Sequence, residues 1–181
     1  MNATLDPVAS SLLALGGAGL FVWAAVHKLR AREAFAATLA EYRLLPQPLV
    51  GFGAAGLGML ELATAACLLW PALRPVGGTL GAAVLAIYAL AIAINLARGR
   101  RDLDCGCGLQ PRVIGGWMVA RNLIVAALLT LLLLPQSTRT LGAADFATIT
   151  GALVVGALLY ASVELLLGRT VPRDLFSLER S

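Results

Sequence analysis

Two cysteines separated by one glycine, Cys105-Gly106-Cys107, are the residues of this chain best suited to chemistry. They end the run Asn95-Leu-Ala-Arg-Gly-Arg-Arg-Asp-Leu-Asp104-Cys105-Gly106-Cys107-Gly108. Thiols at this spacing can close a small disulfide ring. Gly106 relaxes the backbone, yet so tight a ring stays strained. Strain raises the reduction potential, which suits exchange better than bracing. The neighbouring arginines favour thiolate, while Asp102 and Asp104 oppose it. Three readings of the pair stand side by side. It is a redox-active dithiol, or a metal site completed by Asp104 and His27, or an inert turn. The metal reading lacks the second cysteine pair of a strong zinc motif, and His27 also reads simply as an interfacial side chain at a helix end. The third cysteine, Cys67, lies in an apolar run and reads as a small packing residue.

The other candidates are charged residues inside apolar runs: Glu61, Arg121 and Glu164. An ion near mid-bilayer costs roughly 2.5–3.5 kcal/mol even on a lenient insertion scale, so such residues face the bundle interior and pair. Arg121 with Glu61 or with Glu164 is the expected pairing, with Asn95 and Asn122 completing the hydrogen bonds. The pair either fixes helix register or takes part in proton or redox chemistry. The candidate site is therefore the Cys105–Cys107 pair, supported by Asp104, Arg121 and Glu61.

The elements that must position these residues follow from composition. Of 181 residues, 59% are hydrophobic and only 13% are charged, where a soluble domain carries about 25% charged residues. Mean hydropathy is +0.84. A soluble enzyme, a disordered tail and a disulfide-rich scaffold are all excluded. Five runs reach the roughly 20 apolar residues needed to cross a bilayer: about 8–26, 49–70, 76–96, 113–134 and 143–167. Lipid offers no partner to a backbone amide, so each is helical. The expected fold is all-α, a single polytopic bundle over residues 1–181. Within the first loop, Phe35, Leu39 and Tyr42 recur at i, i+4 and i+7, which predicts a short amphipathic helix over 32–45. It lies in the headgroup region or caps the bundle. Glycines at 51, 53, 56, 58, 77, 78, 81, 151 and 156 read as helix-packing positions. Trp23, Trp70, Trp117 and Tyr160 read as interface anchors.

Charge alternates from loop to loop. The first loop holds Lys28, Arg30, Arg32 and Arg43, and the third holds Arg98, Arg100, Arg101 and Arg112. The tail adds Arg169, Arg173 and Arg180, whereas the second and fourth loops carry only Arg74 and Arg139. The positive-inside bias places the N-terminus outside, and the tail and Cys segment on the cytoplasmic side. The first span begins with Asp6 and ends in basic residues, the reverse of a signal peptide, so it reads as retained. The net charge of +4 flanks apolar spans and implies lipid headgroups, with no nucleic acid. No phosphate loop or dinucleotide fingerprint occurs, and no cofactor is expected.

Several short elements together carry a family resemblance. They are His27-Lys28-Leu29, Glu41-Tyr42-Arg43-Leu44-Leu45-Pro46, Glu61-Leu62, Ile94 through Arg101, Asp104-Cys105-Gly106-Cys107-Gly108 and Arg121-Asn122. With them the chain resembles the MauE family of methylamine utilisation membrane proteins, within a DoxX-like group, from about residue 12 to 134. The resemblance implies a multi-pass protein of the bacterial inner membrane that helps mature the methylamine dehydrogenase small subunit, a periplasmic protein rich in disulfides. It implies a partner, a MauD-like thioredoxin-fold membrane protein, whose dithiol Cys105 and Cys107 would exchange with. The client could equally be another exported disulfide protein. The client folds outside, whereas the charge count puts the Cys segment inside, so either electrons cross or the segment dips into the bundle. Two other classes stay open: a non-enzymatic assembly or transport factor, and a metal-binding membrane protein.

Overall fold

The computed structural model describes residues 4–104 and 113–167. Cys105, Gly106 and Cys107 lie outside the described residues, as does the side chain of Glu164. Six helices follow in order: α1 (Pro7–Arg30), α2 (Arg32–Glu41), α3 (Gln47–Leu69), α4 (Arg74–Ala97), α5 (Gly116–Thr130) and α6 (Ala143–Leu167). Among the described residues, five segments are long and apolar enough to cross a membrane: Pro7–Arg30, Gln47–Leu69, Pro71–Ala97, Gly116–Leu133 and Ala143–Val163. They match the five expected spans, and the described residues form no strand.

Prolines set several helix starts. Pro7, Pro48 and Pro75 stand in the first turns of α1, α3 and α4, where the missing N–H has no intrahelical acceptor to lose. Asp6 caps α1 by accepting from the Val8 amide at 2.8 Å. Two boundaries differ from the expected spans. The α1 helix runs on to Arg30 and draws Lys28, expected in a loop, into the helix. The α5 helix begins only at Gly116, because Val113 and Ile114 are extended and pair with Asp104 and Leu103.

The core lies between α1, α3, α4 and α5, where Phe21, Leu68, Val84, Leu85, Leu129 and Leu132 are buried together. Backbones approach closely there. A Cβ on Gly77 would sit 2.7 Å from the Leu68 amide nitrogen, and one on Gly78 would sit 2.7 Å from the Leu129 carbonyl oxygen. Not all the glycines pack. A Cβ on Gly51, Gly56, Gly151 or Gly156 would meet nothing within 4 Å, so the packing expectation fails at those four. The α6 helix packs chiefly against α1.

The loops sort to two ends, as their charges implied. Arg100 donates to the Glu41 carbonyl at 2.6 Å, joining the first and third loops at one end. At the other end Leu5 donates to the Pro135 carbonyl and accepts from the Ser137 amide, Arg74 donates to Ser10 Oγ at 3.2 Å, and Arg139 pairs with Asp6 at 3.2 Å and Asp145 at 2.7 Å.

That latch makes a pH prediction. The Arg139 guanidinium, and after it the Val8 amide, hold the Asp6 carboxyl below its ordinary 3.8. A depressed carboxyl contributes fully above the unfolded value and loses its contribution as pH falls through the folded one. Hydrogen-exchange protection of the Leu5 and Ser137 amides is therefore expected to stay level from pH 7 to about pH 4 and to drop below that. A steady fall already between pH 7 and pH 5 would contradict it.

Candidate functional site

The Cys segment is held at its base. Asp104 and Val113 form an isolated antiparallel bridge, and the Ile114 amide donates to the Leu103 carbonyl at 3.0 Å. Leu103 and Ile114 are buried with Tyr42, Ile92 and Met118, which fixes the base against α4, α5 and the end of α2. Arg100 braces the same corner, donating to the Glu41 carbonyl and to Asn95 Oδ1. Asn95, fully buried, also donates to the Ala91 carbonyl. Its observed role is to hold Arg100.

Glu61 is not paired with Arg121. Its Oε1 accepts from Lys28 Nζ at 2.5 Å and from the Tyr88 hydroxyl at 2.8 Å, and its Oε2 has no hydrogen-bond partner among the described residues. Lys28 and Glu61 are 2% and 0% exposed, so this is a fully desolvated ion pair linking α1 to α3. The physical reason is the length of α1. Lys28 falls on the inward stripe of Ala14, Ala18, Phe21 and Ala25, spaced at three or four residues and so on one helix face. Neither Lys28 nor Tyr88 was expected at the site. The signal for Lys28 was this stripe continuing past residue 26. The signal for Tyr88 was its place one turn after Val84, on the buried face of α4.

Arg121 joins α5 to α6. Its Nη1 donates to the Tyr160 hydroxyl at 3.0 Å, and its Nε and Nη2 donate to Asn122 Oδ1 at 3.2 and 3.0 Å. The guanidinium lies 5.4 Å from the centre of the Trp117 ring and 5.9 Å from that of Tyr160, distances at which a cation is drawn to an aromatic face. Trp117 and Tyr160 therefore flank a cation instead of serving only as interface anchors. The expected pairing of Arg121 with Glu164 falls on a side chain outside the described residues. Asn122 does hydrogen-bond Arg121, as expected.

The amphipathic helix of the first loop is α2, and it packs on α3. Phe35, Thr38, Leu39 and Tyr42 line a cavity of about 460 Å³ shared with α3 and α4, so its apolar face caps the bundle. Lys28 and Tyr88 also line this cavity. Lys28 Nζ sits 5.2 Å from the Phe35 ring centre and 4.8 Å from that of Tyr88. Cys67 is a half-buried free thiol near the end of α3. Among the described residues no three His, Cys, Asp or Glu side chains are grouped as a metal site.

Comparison with known proteins sets this arrangement in a family. The family described as methylamine utilisation protein MauE matches residues 6–135. The methylamine utilization protein MauE of Methylophilus methylotrophus is 34% identical over 167 residues, 90% of this chain and 88% of that protein. Its namesake from Paracoccus versutus is 41% identical over 156 residues, 83% of each chain. No solved structure matches. The matched residues take in the base of the Cys segment, Lys28, Glu61, Tyr88 and Arg121 together, and the chain belongs to the methylamine utilisation protein MauE family.

Proposed function

We propose that the chain is a membrane factor of methylamine utilisation that assists maturation of the methylamine dehydrogenase small subunit by thiol–disulfide exchange at Cys105 and Cys107. Family membership supplies the pathway. The observation that carries the chemistry is the placement of a Cys-Gly-Cys sequence directly after Asp104, on a base fixed by Leu103 and Ile114. In the exchange, the thiolate of one cysteine attacks the disulfide of a thioredoxin-fold partner and a mixed disulfide forms. The second cysteine then attacks that bond, the partner leaves as a dithiol, and two electrons pass from the pair to the partner. Run in reverse, the same steps return the pair to its dithiol form. Lys28–Glu61 holds α1 to α3, and Arg121, stacked on the Trp117 ring that packs against the base of the Cys segment, holds α5 to α6. The loop charges support an inner-membrane orientation with the N-terminus outside and the Cys segment at the cytoplasmic face.

A Cys105→Ser/Cys107→Ser variant, present in the membrane at wild-type level, is expected to leave the small subunit immature. One of the two single variants is expected to trap a mixed disulfide that runs as a larger band on non-reducing gels. Normal maturation in the double variant would overturn the exchange role and leave a non-enzymatic assembly factor.

A further inference from the structure

We propose that the cavity between α2, α3 and α4 binds a neutral, membrane-soluble carbonyl compound whose oxygen accepts a hydrogen bond from Lys28. The inference does not rest on the thiol chemistry above.

The size fits. At about 460 Å³ the cavity falls within the roughly 300–1,000 Å³ typical of small-molecule sites. The wall is mostly aliphatic and aromatic, with Phe35, Leu39, Leu57 and Ile92 among its side chains, and Lys28 is the one charged residue among those lining it. A mostly apolar wall with a few placed polar groups, here Lys28 beside the hydroxyls of Thr38, Tyr42 and Tyr88, is the usual pattern of a site for a lipophilic molecule.

The charge selects the head group. An ammonium has three N–H donors. Glu61 takes one and the Tyr88 hydroxyl, at 3.4 Å, takes a second, which leaves one donor on a group that lines the cavity. Glu61, which does not line it, cancels the charge of Lys28 from behind. An anion entering the cavity would meet a cation already neutralised and would add an uncompensated charge in a dry site. A cation would face the ammonium. A neutral acceptor suffers neither cost, and a carbonyl is the strong neutral acceptor that also dissolves in hydrocarbon.

The opening points to the bilayer as the source. Leu44, Leu45, Gly56 and Ile87 line the cavity and are exposed; Gly56 and Ile87 belong to helices long and apolar enough to cross a membrane. A solute dissolved in lipid therefore reaches Lys28 sideways, between α3 and α4. Two membrane molecules share the required chemistry, a lipid quinone and an acylglycerol ester.

The full chain in nanodiscs of diether phosphatidylcholine, which has no ester carbonyl, tests the assignment. Decylubiquinone and dioleoylglycerol are titrated separately, and bound molecules are counted by native mass spectrometry. Saturable one-to-one binding of either probe is expected, and which of them binds identifies the source. Gly56→Phe is chosen to place a ring at the cavity wall, at a position where the first added carbon meets nothing within 4 Å. It is expected to weaken binding about tenfold or more while keeping the wild-type Tm. Lys28→Met/Glu61→Leu, which removes the donor and leaves no lone charge, is expected to weaken binding by a similar factor. Failure of both probes to saturate, or binding unchanged in Gly56→Phe, would overturn the proposal. So would palmitate binding more tightly than either probe.

Discussion

Lys28→Met is expected to lower folding stability by about 3–5 kcal/mol, the range found when one partner of a buried ion pair is removed. Glu61 has no route to water, being 0% exposed. Without the ammonium its Oε1 keeps only the Tyr88 hydroxyl, and its Oε2 already lacks a hydrogen bond. The resulting lone carboxylate would sit where α1, α3 and α4 meet. For a chain of this length the loss corresponds to a fall in Tm of about 6–20 °C, readable by fluorescence-detected size exclusion after heating in detergent. The double variant Lys28→Met/Glu61→Leu is expected to recover most of the loss, because two apolar side chains of similar volume replace two charges. A single variant that melts within about 2 °C of wild type would show that the pair is not integral to the bundle.

The second large effect is expected at Gly78. Its absent Cβ would lie 2.7 Å from the Leu129 carbonyl oxygen and 3.1 Å from Leu132 Cβ. A backbone oxygen cannot rotate aside, so Gly78→Ala must push α4 and α5 apart. In lipid no hydrophobic drive opposes such a separation, because association rests on close packing. Forcing in one methyl group is expected to cost about 1–3 kcal/mol. The comparison is Gly156→Ala in α6, where the new methyl meets nothing within 4 Å. There the gain in helix propensity predicts neutrality or a stabilisation of up to about 1 kcal/mol. Equal effects at the two positions would contradict the close approach seen at Gly78.

Most of the architecture was legible in the sequence because a bilayer constrains it so strongly. Long apolar runs must be helices, and the alternation of basic loops (Arg30 and Arg43, then Arg98 and Arg100) with loops carrying only Arg74 or Arg139 sorts those loops to two ends. The short helix after α1 was legible from Phe35, Leu39 and Tyr42. What misled was the end of α1. Hydropathy drops at His27 and Lys28, which reads as a boundary, whereas a lysine with a long apolar stem and a carboxylate partner continues the buried stripe. With Lys28 assigned to a loop, Arg121 is the remaining cation for Glu61, and of the two expected pairings of Arg121 that one is replaced by Lys28–Glu61. Glycine clusters misled in a different way. Gly78 and Gly156 look alike in sequence, and only the position of a neighbouring helix separates the crowded one from the open one. Tyr88 could be read as another apolar position, because a tyrosine inside a run shows its hydroxyl's role only once the carboxylate opposite is known.

The Lys28–Glu61 pair also bears on how the chain is made. The two residues are 33 positions apart, so at about 5–20 residues per second the ribosome finishes the cation several seconds before the anion. During that interval α1 must keep its lysine at the water interface, which the long side chain allows by reaching outward. Burial of the charge has to wait for α3. Among the described residues, docking of these two segments is what relieves the buried charge of α1, and Tyr88, another 27 positions on, reaches the pair later in synthesis.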